Sequence, residues 1–384
     1  MMSTIFKNGL VYSTDLHTFI QCDILVKDGM IEKLGCGTDD CDAQQVDCEG
    51  MYIMPGLVDV HTHGRSGYDF NTASADDCRI MRKAYASVGT TTVMATLASA
   101  TYDSLVESID AIGRNRAAEG GMATFQGTHL EGRYINPKRR GAHHESLLFP
   151  LDKEELEGFI NRMLPLPVHI SAAAELDGGE EFVKTARALG ATFGLAHSDA
   201  TYDEAMKAVE WGVVSFTHTF NTMRPLHHRE PGNIAASLMC DSAYSELICD
   251  GEHIHPIMIK LASRTKPADK IVLITDSLEA AGCPDGEYSI AGLPVIVKNG
   301  RATNTEGALA GSTLDLFTAL KNYMKFTGKT LEEAIPCATS NPAAMVGISD
   351  VCGSIKEGLR ADFIMIKDKN SPAIESVWTC GVRV

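Results

Sequence analysis

The chain has 384 residues, 44% hydrophobic and 22% charged, a balance that suits a globular protein with a sizeable core and more than one domain. Its formal net charge of -16 argues against nucleic acid as a partner, and no apolar run of 18 or more residues predicts a membrane-spanning helix. The eleven cysteines are scattered and never spaced Cys-x-x-Cys, and the first residues lack the basic-then-apolar pattern of a signal peptide, so a reducing cytoplasm is expected.

From residue 4 to 53 the chain carries short alternating runs broken by glycine: Ile5 to Val11, Cys22 to Val26, Met30 to Leu34 and Met51 to Ile53. They read as strands of a small β module. The rhythm then becomes strand, loop, helix. Strands are expected at Leu57–Val60, Thr90–Leu97, Thr124–Leu130, Pro167–Ala174, Thr192–Ala196, Val213–Thr217, Glu246–Cys249 and Lys270–Thr275. Helical stripes lie between them, such as Ile80, Met81, Ala84, Tyr85 and Val88, or Phe182, Val183, Ala186 and Leu189. Eight strands alternating with helices predict an α/β fold, a TIM-like (β/α)8 barrel. A Gly-rich strand-like insert spans 286–308, helices are expected at 312–326 and 331–340, and the tail is β-like again. Neither β end is large enough for a core of its own. Residues 1–55 and 346–384 are therefore expected to join as a small β-sandwich domain beside a barrel of residues 56–345.

In such a barrel the active site lies at the C-terminal ends of the strands. Those positions hold His61 and His63, Glu131, Glu175, His197, His218, His253 and Asp276. His-x-His is weak by itself, since His253-Ile254-His255 repeats the spacing. His61 and His63, however, follow a buried strand and share one face of it. Acid or imidazole at nearly every strand end is hard to explain by packing, because unpaired buried charge is costly, whereas a metal centre satisfies all of them. Nitrogen and carboxylate donors without thiolate suit one or two divalent ions, Zn first, with Fe or Mn as alternatives. The fourth strand has no lysine to bridge two ions, so Glu131 is the expected shared ligand and Asp276 the group left to move a proton. By contrast, Lys138-Arg139-Arg140 reads as a solvated loop face and His227, His228 and His255 as surface residues, while Glu175 reads equally as an ion-paired or supporting acid and as a functional one. Asn341-Pro342-Ala343 reads as a helix start, and no nucleotide loop is present.

Several longer motifs resemble the amidohydrolase superfamily, and within it the N-acetylglucosamine-6-phosphate deacetylases. They are Pro55 to Gly64, Thr128-His129-Leu130-Glu131-Gly132, Asn136 to His143, Ala196 to Tyr202, Thr217 to Gly232, Asp250-Gly251-Glu252-His253, Thr275-Asp276, Leu309 to Thr313 and Gly353 to Asp362. The resemblance implies a metal held by Glu131, His197 and His218, and a second at His61, His63, Glu131 and Asp276. It implies that Asp276 acts as general base and acid, with His143 near the acetamide. Ala142, Asn221, Thr222, His253 and Leu309 fall at sugar-phosphate positions. Arg229 matches a phosphate-binding arginine supplied by the second subunit of a homodimer. The implied reaction is hydrolysis of N-acetylglucosamine 6-phosphate to glucosamine 6-phosphate and acetate, in amino-sugar catabolism. Its partner is a small amino-sugar phosphate, with neither nucleic acid nor membrane involved. Arg133-Tyr134, Gly64 to Gly67, Thr222 and Ser277 depart from the usual pattern near the sugar. N-acetylgalactosamine 6-phosphate, or another N-acyl or cyclic amide, therefore stays open as substrate. A non-catalytic scaffold would have lost ligands, and here none is missing.

Overall fold

The computed structural model describes residues 3–35 and 43–384. Met1, Met2, Cys36 and Cys41, counted above, lie outside the described residues. Cys48, Cys78, Cys240, Cys249, Cys283, Cys337, Cys352 and Cys380 form no disulfide among the described residues.

Eight parallel strands form the central sheet in sequence order: Leu57–Thr62, Thr90–Leu97, Thr124–Glu131, Val168–Ala172, Thr192–Leu195, Ser215–Phe216, Tyr244–Ile248 and Ile271–Ile274. The first and second are buried at every position, which is why they read as continuous runs rather than alternating ones. The ring closes between its first and last strands through Asp276 N–H to His61 O (2.9 Å), His63 N–H to Ser277 O (2.7 Å) and a parallel bridge from Thr62 to Ser277. The seam of the barrel thus coincides with the expected chemistry.

Helices wrap the outside. Ala75–Ser87 begins at a capping box, with Ser74 and Asp77 satisfying each other's backbone N–H groups. Its buried face is Cys78, Met81, Arg82, Tyr85 and Ala86, so the stripe is rotated from the expected one. Ile80 is 46% exposed, whereas Arg82 is buried because its guanidinium donates to the carbonyls of Ala117 and Ala123 (2.7 Å each). Gly179–Ala188 buries Phe182, Val183 and Ala186 as expected. The helix expected at 331–340 is broken into Leu331–Ala334, a tight turn at Ile335–Ala338 and Ser340–Met345, with Pro336 at the break.

The two chain ends meet in one eight-stranded sheet. Phe363–Ile366 lies between Tyr52–Pro55 and Ile374–Thr379, and Ser3–Ser13 pairs with Thr18–Lys27. Phe6, Ile24, Ile53 and Phe363 anchor its own apolar cluster. Arg360 ties this sheet to the barrel. Buried, it pairs with Asp362 (2.5 Å) and donates to Gln126 (3.0 Å) and Thr92. The insert after the eighth strand is a three-stranded antiparallel sheet, Gly286–Ile290, Leu293–Lys298 and Arg301–Asn304.

Candidate metal centre and active site

The strand ends converge on Glu131. Its Oε1 lies 2.9 Å from His218 Nε2 and 3.4 Å from His197 Nε2, and those two nitrogens are 3.2 Å apart. Its Oε2 lies 3.2 Å from His61 Nε2 and 3.1 Å from His63 Nε2. Asp276 Oδ1 completes the second group, 3.5 Å from His61 Nε2 and 3.2 Å from His63 Nε2. One carboxylate therefore divides its oxygens between two histidine pairs.

These separations fit divalent ions. Donors about 2.0–2.1 Å from a tetrahedral centre stand about 3.3 Å from one another. Both nitrogens of His61, fully buried, have no hydrogen-bond partner among the described residues. An unpaired buried imidazole is costly, and a cation at Nε2 removes that cost. His143 also lies close enough to group with Glu131 and His197.

The local backbone is bent to aim these side chains inward. His197, His218 and Asp276 adopt φ values of 46°, 31° and 49°, a left-handed region that costs a non-glycine residue about 1–3 kcal/mol. Strain at the ends of the fifth, sixth and eighth strands is tolerated because the barrel holds both flanks. His197 is further fixed by donating Nδ1–H to the carbonyl of Arg139 (2.8 Å), which turns Nε2 towards Glu131.

The charges support one another. Burial opposes ionisation of Asp276, but the charge of His61 and the hydrogen bond from His63 outweigh it and hold the carboxyl below its usual range. Burial pushes His63 down, yet hydrogen bonds to Asp276 and Glu131 prevail and hold its pKa at about 9. Burial lowers His143 to about 3, helped by the neighbouring His197, so its imidazole is neutral at neutral pH.

Above this cluster opens a cavity of about 230 Å³. His63, Glu131, His197, His218 and Asp276 form its floor. Ala142, His143, Asn221, Thr222, His253 and Leu309 line it, as expected from the sequence. His61 lies beneath, out of contact with solvent. Ile290, Ala291 and Leu293 of the inserted sheet add an apolar wall that the sequence did not announce. Neither lysine nor arginine is among the lining residues. Arg229 stands on an exposed loop with its guanidinium 3.0 Å from His228 Nε2, and it does not line the cavity of its own chain.

One reading of a supporting residue changes, and one open reading is narrowed. Lys138 is exposed, but Arg139 is not a solvated face. Its side chain grips Asp199 (2.7 and 2.8 Å) while its carbonyl holds His197. Glu175 belongs to neither candidate ligand group among the described residues. It accepts from Asn136 Nδ2 (3.0 Å), Ser198 Oγ (2.7 Å) and Asp199 N–H (2.7 Å), clamping the loops after three strands. His227, His228 and His255 are exposed, as expected. Glu246, on the seventh strand, was missed as part of the site. Its side chain is wholly buried and its Oε2 lies 3.6 Å from His61 Nδ1. It sits inside the strand rather than at its end, and only the closed barrel brings it under His61.

A parallel eight-stranded barrel with a histidine–carboxylate cluster at its C-terminal mouth defines a hydrolase whose residues fit a divalent metal site. The chain belongs to the amidohydrolase family, whose model matches residues 52–384. It is 33% identical to the N-acetylglucosamine-6-phosphate deacetylase of Vibrio furnissii, covering 86% of this chain and 82% of that one. It is also 33% identical to the N-acetylgalactosamine-6-phosphate deacetylase of Escherichia coli O157:H7, over 86% of each. Among solved structures it resembles an aspartate-to-alanine mutant of the Mycobacterium smegmatis N-acetyl-D-glucosamine-6-phosphate deacetylase in complex with N-acetyl-D-glucosamine-6-phosphate. The TM-score is 0.88 at 26% identity, over 100% of this chain and 98% of that one.

Proposed function

We propose that this enzyme removes the acetyl group of N-acetylglucosamine 6-phosphate, giving acetate and glucosamine 6-phosphate, in cytoplasmic amino-sugar catabolism. The observation that carries the reading is Glu131 shared between two histidine pairs, with Asp276 beside it in the floor of the cavity. His197, His218 and Glu131 would hold one divalent ion, and His61, His63, Glu131 and Asp276 a second. Nitrogen and carboxylate donors favour zinc, with iron or manganese as alternatives. A bound ion supplies a Lewis acid for the acetyl carbonyl and lowers the pKa of a water it holds.

The chain's own residues do the rest. Asp276 takes the proton of the attacking water and passes it to the leaving nitrogen, which cannot depart as an anion. Neutral His143 donates an N–H to the carbonyl oxygen as negative charge gathers there. Asn221, Thr222, His253, Leu309 and the Ala142 backbone orient the sugar. The phosphate needs a cation that the cavity lining lacks, and Arg229 of a second subunit in a homodimer is the residue to supply it.

Acetate release is the test, run on the 6-phosphates of N-acetylglucosamine and N-acetylgalactosamine and on the two unphosphorylated sugars. Turnover of the glucosamine 6-phosphate derivative should lead. A preference for the galactosamine epimer would move the assignment to the other type of relative. No release from any of the four would overturn it.

A further inference from the structure

We propose that Glu246 is the positioning residue for His61, and through it sets the affinity of the ion group made by His61, His63, Glu131 and Asp276. The proposal rests on the metal centre described above, though not on the identity of the substrate.

Glu246 lies in the middle of the seventh strand with its side chain turned into the barrel, and none of it reaches solvent. Its Oε1 accepts a hydrogen bond from Ser215 Oγ (2.8 Å). Its Oε2 has no hydrogen-bond partner among the described residues, and neither has His61 Nδ1. These two unsatisfied atoms face each other at 3.6 Å. A buried acceptor and a buried donor, each otherwise orphaned, are stabilised by the same small approach. The hydrogen bond so formed places the proton of His61 on Nδ1 and leaves the Nε2 lone pair pointing at Glu131 and Asp276. A ligand histidine held by a carboxylate in this way gains basicity and a fixed ring plane.

The two oxygens of Glu246 face different neighbours. His169 Nε2, also without a hydrogen-bond partner among the described residues, stands 3.8 Å from Oε1, which already accepts from Ser215, and the His169 ring is engaged through Nδ1 with Thr192 (2.8 Å), whereas Oε2 faces His61. His129 stacks edge-on against His61 at 4.6 Å and is itself held by Thr96 and Ser171. Among the described residues His61 is thus packed against His129 on one side and faced by Glu246 on the other. By contrast His197, in the first ion group, takes its support from the Arg139 carbonyl. The two groups have independent supports, so they should be separable by mutation.

The test is calorimetric titration of zinc into metal-depleted protein, for Glu246→Gln, His61→Asn and the double variant, with metal content measured by elemental analysis. Glu246→Gln should weaken zinc binding at one site 10–100-fold, the range typical of losing such a support. The ion group of His197 and His218 should keep its affinity. Because Glu246 acts through His61, its effect should vanish in the His61→Asn background. A merely structural carboxylate would lower the melting temperature of the metal-depleted protein and leave zinc affinity unchanged. That result, or effects that add in the double variant, overturns the proposal. Deacetylase activity plays no part in the readout, so failure of the substrate assignment leaves a different signature.

Discussion

At the scale of single residues, Asp276 and His63 carry the sharpest consequences. Asparagine at 276 keeps the shape of the side chain but carries no proton. Asp276→Asn should retain fold and substrate binding while kcat falls by about 10²–10⁴. A near-normal kcat at any pH would assign proton transfer to another group. His63, held at about 9, keeps a proton at neutral pH that an incoming ion must displace. The sign follows: metal uptake releases protons, and affinity falls as pH drops below 9. Calorimetry at pH 7 in buffers of different ionisation enthalpy should show buffer-dependent heats. Identical heats in every buffer would contradict a protonated His63.

At the scale of elements, the loop of residues 136–143 unites both halves of the site. The Arg139 carbonyl steadies His197, Gly141 and Ala142 border the cavity, and His143 faces the floor. Gly141 has φ +57°, and a Cβ there would stand 2.8 Å from Thr222 Cγ2 and 3.3 Å from His197 Cε1. An alanine is strained by the backbone and presses on Thr222 and His197 together. Gly141→Ala should lower kcat/KM by about tenfold or more, since small misplacements at reacting centres are amplified. Thermal melting should move by only about 2 °C in a chain of this size. Steady-state kinetics beside a melting curve checks both, and unchanged kinetics would free this loop of a positioning role.

For the whole molecule, two links outside the cavity matter. Arg360 joins the end-to-end sheet to the barrel through Asp362, Gln126 and Thr92. Removing it leaves a buried carboxylate unpaired, so Arg360→Leu should destabilise the chain by about 3–5 kcal/mol in denaturant titration. A loss under 1 kcal/mol would show that the sheet does not depend on this bolt. Arg229, exposed on its own chain, is proposed above to reach a neighbouring subunit's phosphate. Arg229→Ala should raise KM strongly for the phosphorylated sugar and little for the unphosphorylated one. Mixing it with Asp276→Asn should restore activity, because a heterodimer contains one pocket with both groups intact. Equal KM effects, or no recovery on mixing, would count against donation across a dimer.

Strand order and the positions of the candidate metal-binding side chains were legible because both are local. A buried parallel strand writes itself as a continuous apolar run, and the end of that run marks the barrel mouth, where His61, His63, Glu131, His197, His218 and Asp276 come together. What the sequence could not show were relations made by closure of the barrel. Ile80 and Arg82 exchanged places because a guanidinium finds two carbonyls only in the folded chain. Arg139 acts through its backbone, which no residue type reveals. Glu246 stands mid-strand, where a carboxylate looks misplaced until the first and seventh strands face each other across the interior. The sequence by itself determined which groups are available for chemistry, since residue type sets donors, charge and reach. Only the tertiary structure decided which of them share a hydrogen bond, since that depends on ångström distances between strands far apart in the chain.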